Sequence, residues 1–372
     1  MCMTTRFGSS AVPIQRIGVS AYTIPTSSPE SDGTLEWDNT TIVIVQASAG
    51  GRDGIGYTYA DESTAKLISS RLAKIVEKHD AMNVGGAWQA MVHGIRNLGR
   101  PGICSMAIAA VDSALWDLKA RLLDVPLVTL LGQTRDAIPA YGSGGFTSYS
   151  DKQLEEQFRC WAEENGIRKF KMKVGRHAGR DPKRVEAARK VIGNELELYV
   201  DANGAYERKQ ALAMANIFSE FGVTWFEEPV SSDDLEGLRL MRDRAPAGMA
   251  IAAGEYGYDL VYFRRMLEAQ AVDVLQADAT RCAGITGFLQ VGALCDAFNL
   301  PLSAHTAPSL HAHPMCALGR ARDVEYFHDH VRIEAMLFDG AIVAKSGELR
   351  PDLSHPGIGI EFKRADAARF AA

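Results

Sequence analysis

Seven residues of acid, base or cation type recur through the second half of the chain at nearly constant spacing. They are Lys173, Asp201, Glu227, Glu255, Asp278, His305 and Glu325, separated by 28, 26, 28, 23, 27 and 20 residues. Each interval is the length of one strand, one loop and one helix. Three consecutive members, Asp201, Glu227 and Glu255, are acids. Three carboxylates converging in a half-apolar cleft repel one another, and a divalent cation is the simplest compensation. Hard oxygen ligands with room left for water and substrate suit Mg²⁺. The competing reading is that acids at strand ends cap the next helix or pair with arginines. Three in succession at this spacing weigh against it.

Two further groups fit the same cavity. Lys171 and Lys173 flank Met172, and in a strand positions i and i+2 point to the same side. Ammonium groups sharing a cavity lower each other's pKa, which makes one a usable base near neutral pH. A solvated pair on an edge strand is the alternative, and nearby Lys169 shows that the region is lysine-rich. Asp278 and His305 fall at the ends of neighbouring strands. A carboxylate beside an imidazole fixes its tautomer and raises its basicity, so His305 would act as acid or base across the cavity from Lys173. His311 and His313 are rivals by sequence. The preceding Pro301-Leu302-Ser303-Ala304 favours His305, because it sets that residue at a strand end.

Such groups need elements that aim them at one place. From Ile138 onward short apolar runs alternate with amphipathic stretches such as Asp181–Val191 and Glu207–Phe221. The runs predict strands at Ile138–Ser143, Lys169–Val174, Glu197–Val200, Val223–Phe226, Met249–Ala253, Val272–Gln276, Leu300–Ala304 and Val324–Phe327. Eight alternations over this length match a (β/α)8 barrel, whose chemistry sits at the C-terminal ends of the strands. A doubly wound open sheet is the competing fold, but no G-x-G-x-x-G follows the first strand and no P-loop occurs. Upstream, Ile17, Val19 and Ala21 alternate with polar positions. Thr41–Val45 is a β-branched run, and Gly54–Tyr59 is a third strand candidate. Ser31-Asp32-Gly33 and Gly50-Gly51 supply turns, so an antiparallel meander is expected. An amphipathic helix is predicted over 62–79 and a buried one over 102–122. Residues 1 to about 130 thus read as a small α+β unit.

Composition sets the outer bounds. The 372 residues are 47% apolar, 8% aromatic and 23% charged, an ordinary globular profile that excludes a disordered or fibrous chain. A net charge of −6 disfavours a general nucleic-acid or anionic-membrane binder. No stretch offers the run of about 20 apolar residues that a membrane span needs. Six scattered cysteines without a C-x-x-C read as buried small residues in a reducing compartment. Met1–Gly8 lacks the basic start and apolar run of a signal peptide, so a cytoplasmic location is expected.

Taken in order, the motifs resemble those of the enolase superfamily, in its mandelate-racemase-like branch. They are Lys171-Met172-Lys173, Asp201-Ala202-Asn203-Gly204, Trp225-Phe226-Glu227-Glu228-Pro229 and Ala253-Gly254-Glu255. Gln276-Ala277-Asp278 follows, then Gly284-Ile285-Thr286-Gly287, Ser303-Ala304-His305 and Val324-Glu325. The resemblance implies an α+β capping domain over 1–132, completed by about 350–372. It implies a modified (β/α)7β barrel of the TIM type over 133–349. It further implies Mg²⁺ held by Asp201, Glu227 and Glu255, the first Glu of Glu-Glu-Pro being the ligand rather than Glu228. Lys173 and the Asp278–His305 dyad would face opposite sides of a substrate's α-carbon. Lys171 would contact the substrate carboxylate and tune Lys173. Glu325 would hydrogen-bond the carboxylate as it becomes an enediolate, and Asn203 would line the site. Muconate-cycloisomerase-like relatives carry a lysine after strand six. Asp278 there, with His305 after strand seven, points to the branch of racemases and acid-sugar dehydratases. A homo-oligomer is also implied.

The catalytic set serves racemisation and dehydration alike. In this family a flexible loop between the first two strands closes over the substrate, here Thr26–Asn39 with Trp37. Its acids, serines and threonines suit a polyhydroxylated substrate, whereas an apolar loop would suit an aromatic hydroxy acid. Tyr57 and Tyr59 are further candidates to reach the site. The expectation is therefore β-elimination of water from an aldonate or aldarate to a 2-keto-3-deoxy acid. The runner-up is a racemase or epimerase of a 2-hydroxy acid, and a third reading is a barrel that binds metal and sugar acid without turnover.

Overall fold

The computed structural model describes residues 11–372. The readings made on Met1–Gly8 and Cys2 lie outside the described residues. The chain opens with three antiparallel strands in sequential order, β1 (Arg16–Ser31), β2 (Glu36–Ala49) and β3 (Arg52–Tyr59). Val43, Val45 and Ala47 of β2 face a helical layer, while Ile42 and Ile44 face the remainder of the molecule. The period of 2 in the sequence thus serves two cores. The predicted buried helix forms over Ile103–Leu122 and lies flat on β3. That close approach needs Gly54 and Gly56, where an added Cβ would stand 2.3 Å from Leu118 N and 2.3 Å from Ala110 O. The helix predicted over 62–79 is shorter and irregular. It runs Ser63–Leu67, passes through a π-helical turn at Ile68–Leu72 and ends with Ala73–Val76.

Eight parallel strands then close a barrel. They are β4 (Ile138–Gly144), β5 (Lys169–Lys173), β6 (Glu197–Asp201), β7 (Val223–Glu227), β8 (Ala250–Ala253), β9 (Val274–Ala277), β10 (Leu302–Ala304) and β11 (Ala321–Phe327). Parallel pairing of β11 with β4, Glu325 opposite Tyr141, completes the ring. One helix connects each successive pair, from Asp151–Asn165 to Pro308–Met315, giving eight strands with seven helices between them. Strand parity decides what enters the barrel. On β5, Phe170 and Met172 join the core beneath the helices, which turns Lys171 and Lys173 inward. Below the reactive face, Tyr141, Tyr199, Trp225 and Val274 fill the interior, with the Tyr199 and Trp225 rings stacked at 5.1 Å.

Buried polar bonds tie the N-terminal cap to the barrel. Asp112 accepts from Thr286 N (2.9 Å) and Thr286 Oγ1 (2.7 Å). Asp117 instead joins the helix to β3 and to the returning chain end, accepting from Ile55 N (2.8 Å) and Ile358 N (2.6 Å). The chain end returns to the cap. After β12 (Phe338–Asp339) and β13 (Glu348–Leu349), β14 (Glu361–Phe362) pairs with β12, and Phe362 packs on Tyr22 at 5.5 Å.

Two expectations are corrected here. Thr26–Asn39 is mostly not a loop, because β1 continues to Ser31 and β2 begins at Glu36, with a register shift between Pro25 and Glu30. Prolines 25 and 29 lack the N–H that regular pairing needs, which fits the irregularity. Asp32 Oδ1 then closes the tight turn by accepting from Thr34 N (2.6 Å) and Leu35 N (2.7 Å). Among the described residues the five cysteines are free and four are buried, but Cys160 is exposed on the outer side of its amphipathic helix. Among the described residues no helix is long and apolar enough to cross a membrane.

Candidate active site

The barrel brings the expected residues to one end. Lys173, Asp201 and Glu227 are the last residues of β5, β6 and β7, and they are adjacent in register. Asp278 and His305 directly follow β9 and β10. Glu255 comes two residues after β8, beyond Gly254 at φ +135°, where a Cβ would fall 2.1 Å from Gln276 O. That turn aims Glu255 back over the barrel. Glu325 is the exception. It lies inside β11 rather than after it, because β11 starts earlier and runs two residues further.

Asp201, Glu227 and Glu255 are all buried, and each offers an oxygen within 4.8 Å of the others. Trp225 Nε1 donates to Glu227 Oε2 (2.9 Å) and Asn203 N donates to Asp201 Oδ1 (2.8 Å). Glu255 Oε2 is buried without a hydrogen bond among the described residues. Burial and the neighbouring Asp201 push the Glu227 carboxyl well above its usual range. Three hard donors, one with an unsatisfied oxygen, fit a divalent cation.

The lysines depart from expectation. Lys171 Nζ sits 2.5 Å from Glu227 Oε1, 2.8 Å from Glu325 Oε1 and 3.6 Å from Asp201 Oδ2, over the Tyr141 ring. Lys173 Nζ sits 2.5 Å from Asp201 Oδ2. Burial works against both ammonium groups, yet Glu227 and Glu325 hold Lys171, and Asp201 holds Lys173, above the ordinary lysine value. Mutual depression, expected from the lysine spacing, is outweighed by acids from neighbouring strands.

Asp278 Oδ2 lies 2.8 Å from His305 Nδ1, and Thr280 N donates to Asp278 Oδ1 (2.7 Å). Burial opposes ionisation of Asp278, but His305, His311 and Arg281 hold its carboxyl well below the usual range. His305 Nε2 faces Glu255 Oε2 at 3.3 Å and Glu325 Oε2 at 3.7 Å. The rival histidines are struts. His311 Nε2 accepts from Ala279 N (2.8 Å) and its Nδ1 donates to Thr306 O (2.8 Å). His313 accepts from Val128 N and donates to Ile358 O, and burial pushes its pKa down to about 4.

Lys173, Glu255, His305 and Glu325 floor a cavity of about 400 Å³ roofed by the cap. Trp37 and Asn203 both line it. The Trp37 indole N–H is already donated to Glu30 Oε2 (3.0 Å) and its ring meets Phe146 edge-on, so it offers the cavity a surface rather than a free donor. Tyr59 lines the cavity, whereas Tyr57 is turned away and bonded to Glu334 Oε1 (2.6 Å). The sequence reading missed Asp32 as a lining side chain, and also Tyr256, Arg281, Thr306 and His330. Tyr256 and Thr306 adjoin Glu255 and His305, and Arg281 is three residues past Asp278, so a scan around each strand end would have found them. His330 follows Glu325 by five residues and had only the His328/His330 repeat as a signal.

Comparison with known proteins agrees with this geometry. The family model described as enolase C-terminal domain-like matches residues 153–367, and the mandelate racemase / muconate lactonizing enzyme N-terminal domain matches residues 23–132. A mandelate racemase/muconate lactonizing enzyme-like protein from Rubrobacter xylanophilus is 53% identical with a TM-score of 0.95, covering 97% of this chain and 100% of that one. L-talarate/galactarate dehydratase of Salmonella typhimurium is 28% identical over 96% of this chain and 90% of its own length. Its crystal structure with Mg and L-lyxarohydroxamate gives a TM-score of 0.90 at 26% identity, covering 100% of this chain and 96% of that one. The 3,6-anhydro-alpha-L-galactonate cycloisomerase of Streptomyces coelicolor is 30% identical over 94% of this chain and 98% of its own length. The chain belongs to the mandelate racemase-like branch of the enolase superfamily.

Proposed function

We propose that this member of the branch is a Mg²⁺-dependent acid-sugar dehydratase, removing the α-proton of a sugar acid and expelling its β-hydroxyl as water. The bonded Asp278–His305 pair beside the three-carboxylate cluster, with Lys173 close by, supports abstraction of the α-proton. The observation that favours elimination over racemisation is the polar cavity wall of Asp32, Asn39, Thr41 and Asn203, suited to a polyhydroxylated substrate, beside the likeness to L-talarate/galactarate dehydratase. Asp201, Glu227 and Glu255 would hold the cation, whose charge supplies Lewis-acid stabilisation of the developing enediolate. Lys171 and Glu325, joined at 2.8 Å, would meet the substrate carboxylate and share its proton demand. Lys173 Nζ is the base for the α-proton. Asp201, once it is a metal ligand, no longer spends its full charge on Lys173, which eases loss of the lysine proton.

His305 carries the second half of the reaction. Its Nδ1–H is given to Asp278, so Nε2 is the atom that delivers a proton to the departing β-hydroxyl. The Cα–H and Cβ–O bonds break, water leaves, and the enol tautomerises to a 2-keto-3-deoxy acid. Asn203 and Trp37 complete the substrate-facing wall.

The test is incubation with Mg²⁺ and a panel of aldonates and aldarates in deuterated water, following 2-keto acid and deuterium at Cα. Keto acid supports dehydration. Exchange without keto acid supports the second reading, a racemase, epimerase or cycloisomerase, which the likeness to the Streptomyces coelicolor cycloisomerase favours. Neither product over the whole panel would overturn both.

A further inference from the structure

The cavity carries its charges unevenly. Its floor and the buried layer beneath it hold six carboxylates, Asp201, Glu227, Glu228, Glu255, Asp278 and Glu325, against three cations, Lys171, Lys173 and Arg281. One divalent ion would offset two of the three excess negative charges. Every one of the three cations already touches an acid: Lys171 at 2.5 Å from Glu227, Lys173 at 2.5 Å from Asp201, and Arg281 Nη1 at 3.4 Å from Glu255. The floor can therefore receive one substrate carboxylate at the metal and has no spare cation for another.

The roof is different. Among the described residues, the cap contributes no lysine or arginine to the cavity. It contributes two carboxylates, Asp32 and Asp61, with the Asn39 amide and the Thr41 and Tyr59 hydroxyls. Asp32 Oδ1 is spent on its own turn, and Oδ2 makes no hydrogen bond among the described residues. Against the roof stands His330, stacked on Tyr59 at 3.4 Å and 12° and edged by Phe327 at 5.1 Å. Its Nδ1 accepts from Ala307 N (3.4 Å), so the ring proton is on Nε2, which makes no hydrogen bond among the described residues. Burial, together with the nearby His305, keeps this ring neutral.

We propose that the site takes an aldonate, a sugar acid with one carboxylate and a neutral hydroxylated tail, in preference to the matching aldarate, with Asp32 and His330 reading the tail hydroxyls. This rests on the acid-sugar reading above. A hydroxyl both donates and accepts, so a carboxylate oxygen and a neutral N–H satisfy it together. A second substrate carboxylate would instead lose its water beside Asp32 and Asp61 with no free cation to pair with. Rejection here is built from like charge as much as from fit.

The experiment compares matched pairs that share the reacting end, gluconate with glucarate, galactonate with galactarate and mannonate with mannarate, on the Mg²⁺-loaded full chain. For the best pair, kcat/KM for keto-acid formation should favour the aldonate by at least about tenfold. An aldarate turned over equally well or better overturns the proposal and leaves the dehydratase reading standing. Binding is measured separately by calorimetry on the His305→Asn protein, which should hold substrate without dehydrating it. Tighter aldonate binding supports the proposal even where no keto acid forms. Equal or tighter aldarate binding, or no aldonate binding up to about 10 mM, overturns it. Asp61→Lys, which places a cation on the roof at an exposed position, should move the preference toward the aldarate. An unmoved preference in that variant counts against the charge argument.

Discussion

Asp278 Oδ2 and His305 Nδ1 stand 2.8 Å apart in a buried pair, which leaves Nε2 as the nitrogen that faces the cavity. The carboxylate fixes which nitrogen is which. Asp278→Asn keeps the shape but removes the charge that stabilises a protonated imidazole. Keto-acid formation should fall by about 10²- to 10⁴-fold, the span of a lost acid–base group. The thermal midpoint should stay close to that of the parent. A variant retaining a tenth of its turnover would show that the dyad does not carry the proton.

His305→Asn separates the two halves of the reaction. Keto acid should disappear, because the leaving hydroxyl has no acid. Deuterium should still enter Cα through Lys173, whose partner Asp201 is untouched. Loss of exchange along with elimination would instead make His305 the α-proton base.

The metal cluster predicts a ligand-linked stability. Three buried carboxylates mutually within 4.8 Å repel one another, and Lys171 and Lys173 only partly offset that repulsion. Mg²⁺ at a hundred times its dissociation constant should raise stability by about 2.7 kcal/mol. Scanning calorimetry should show an upward shift with Mg²⁺ that Glu255→Gln weakens, and that a chelator reverses. The same midpoint with and without Mg²⁺ would speak against these three as ligands.

Much of this was legible because a barrel strand ends about once per βα unit, so chain spacing reports spatial convergence. Strand parity likewise placed Lys171 and Lys173 on one side. What the chain order cannot report is the identity of neighbours on other strands. The lysine pair reads as self-repelling along β5, but Glu227, Glu325 and Asp201 arrive from β7, β11 and β6 and reverse the sign. Thr26–Asn39 reads as a loop from its prolines, serines and acids. It folds as a ribbon because Asp32 closes the turn with its side chain and Trp37 finds Glu30 across it. Tyr57 and Tyr59 share a strand and a spacing of two, yet β3 sends only Tyr59 to the cavity.

Three buried carboxyls each take stability away as pH rises through the weakly acidic range, against the buried histidines His311, His313, His328 and His330, whose lowered pKa values act in the opposite direction. Burial pushes Asp112 from 3.8 up to about 7, Asp117 to about 6 and Glu334 to about 7. Below the ordinary carboxyl range the folded and unfolded chains both hold these protons. Between about 4 and 7 the unfolded chain releases them and the folded chain does not, so each group costs up to about 1.4 kcal/mol per pH unit. Asp112→Asn can still accept from Thr286 N and donate to Thr286 Oγ1. Denaturant titrations across this window should show that variant gaining stability relative to the parent as pH rises, and a constant difference between the two would mean that Asp112 ionises normally in the folded protein.

Glu30 links the ribbon to pH at the alkaline side. Its carboxyl is fully buried under the turn, with Oε1 unpartnered and Oε2 accepting from Trp37 Nε1. Burial and then Asp329 push its pKa up to about 8, against the opposing pulls of the Trp37 hydrogen bond and Arg332. At neutral pH the group is therefore uncharged and the ribbon sits closed on Phe146 through Trp37. Above about pH 8 a buried charge forms beside Asp329, itself bound to Thr40 and Arg332, and the wall that Trp37 supplies is destabilised. The Michaelis constant of the parent should rise through this pH while kcat, set on the barrel floor, changes less. Glu30→Gln keeps an acceptor for the indole N–H and cannot ionise, so its Michaelis constant should stay level over the same range. Parallel profiles for the two proteins would show that the ribbon does not respond to this carboxyl.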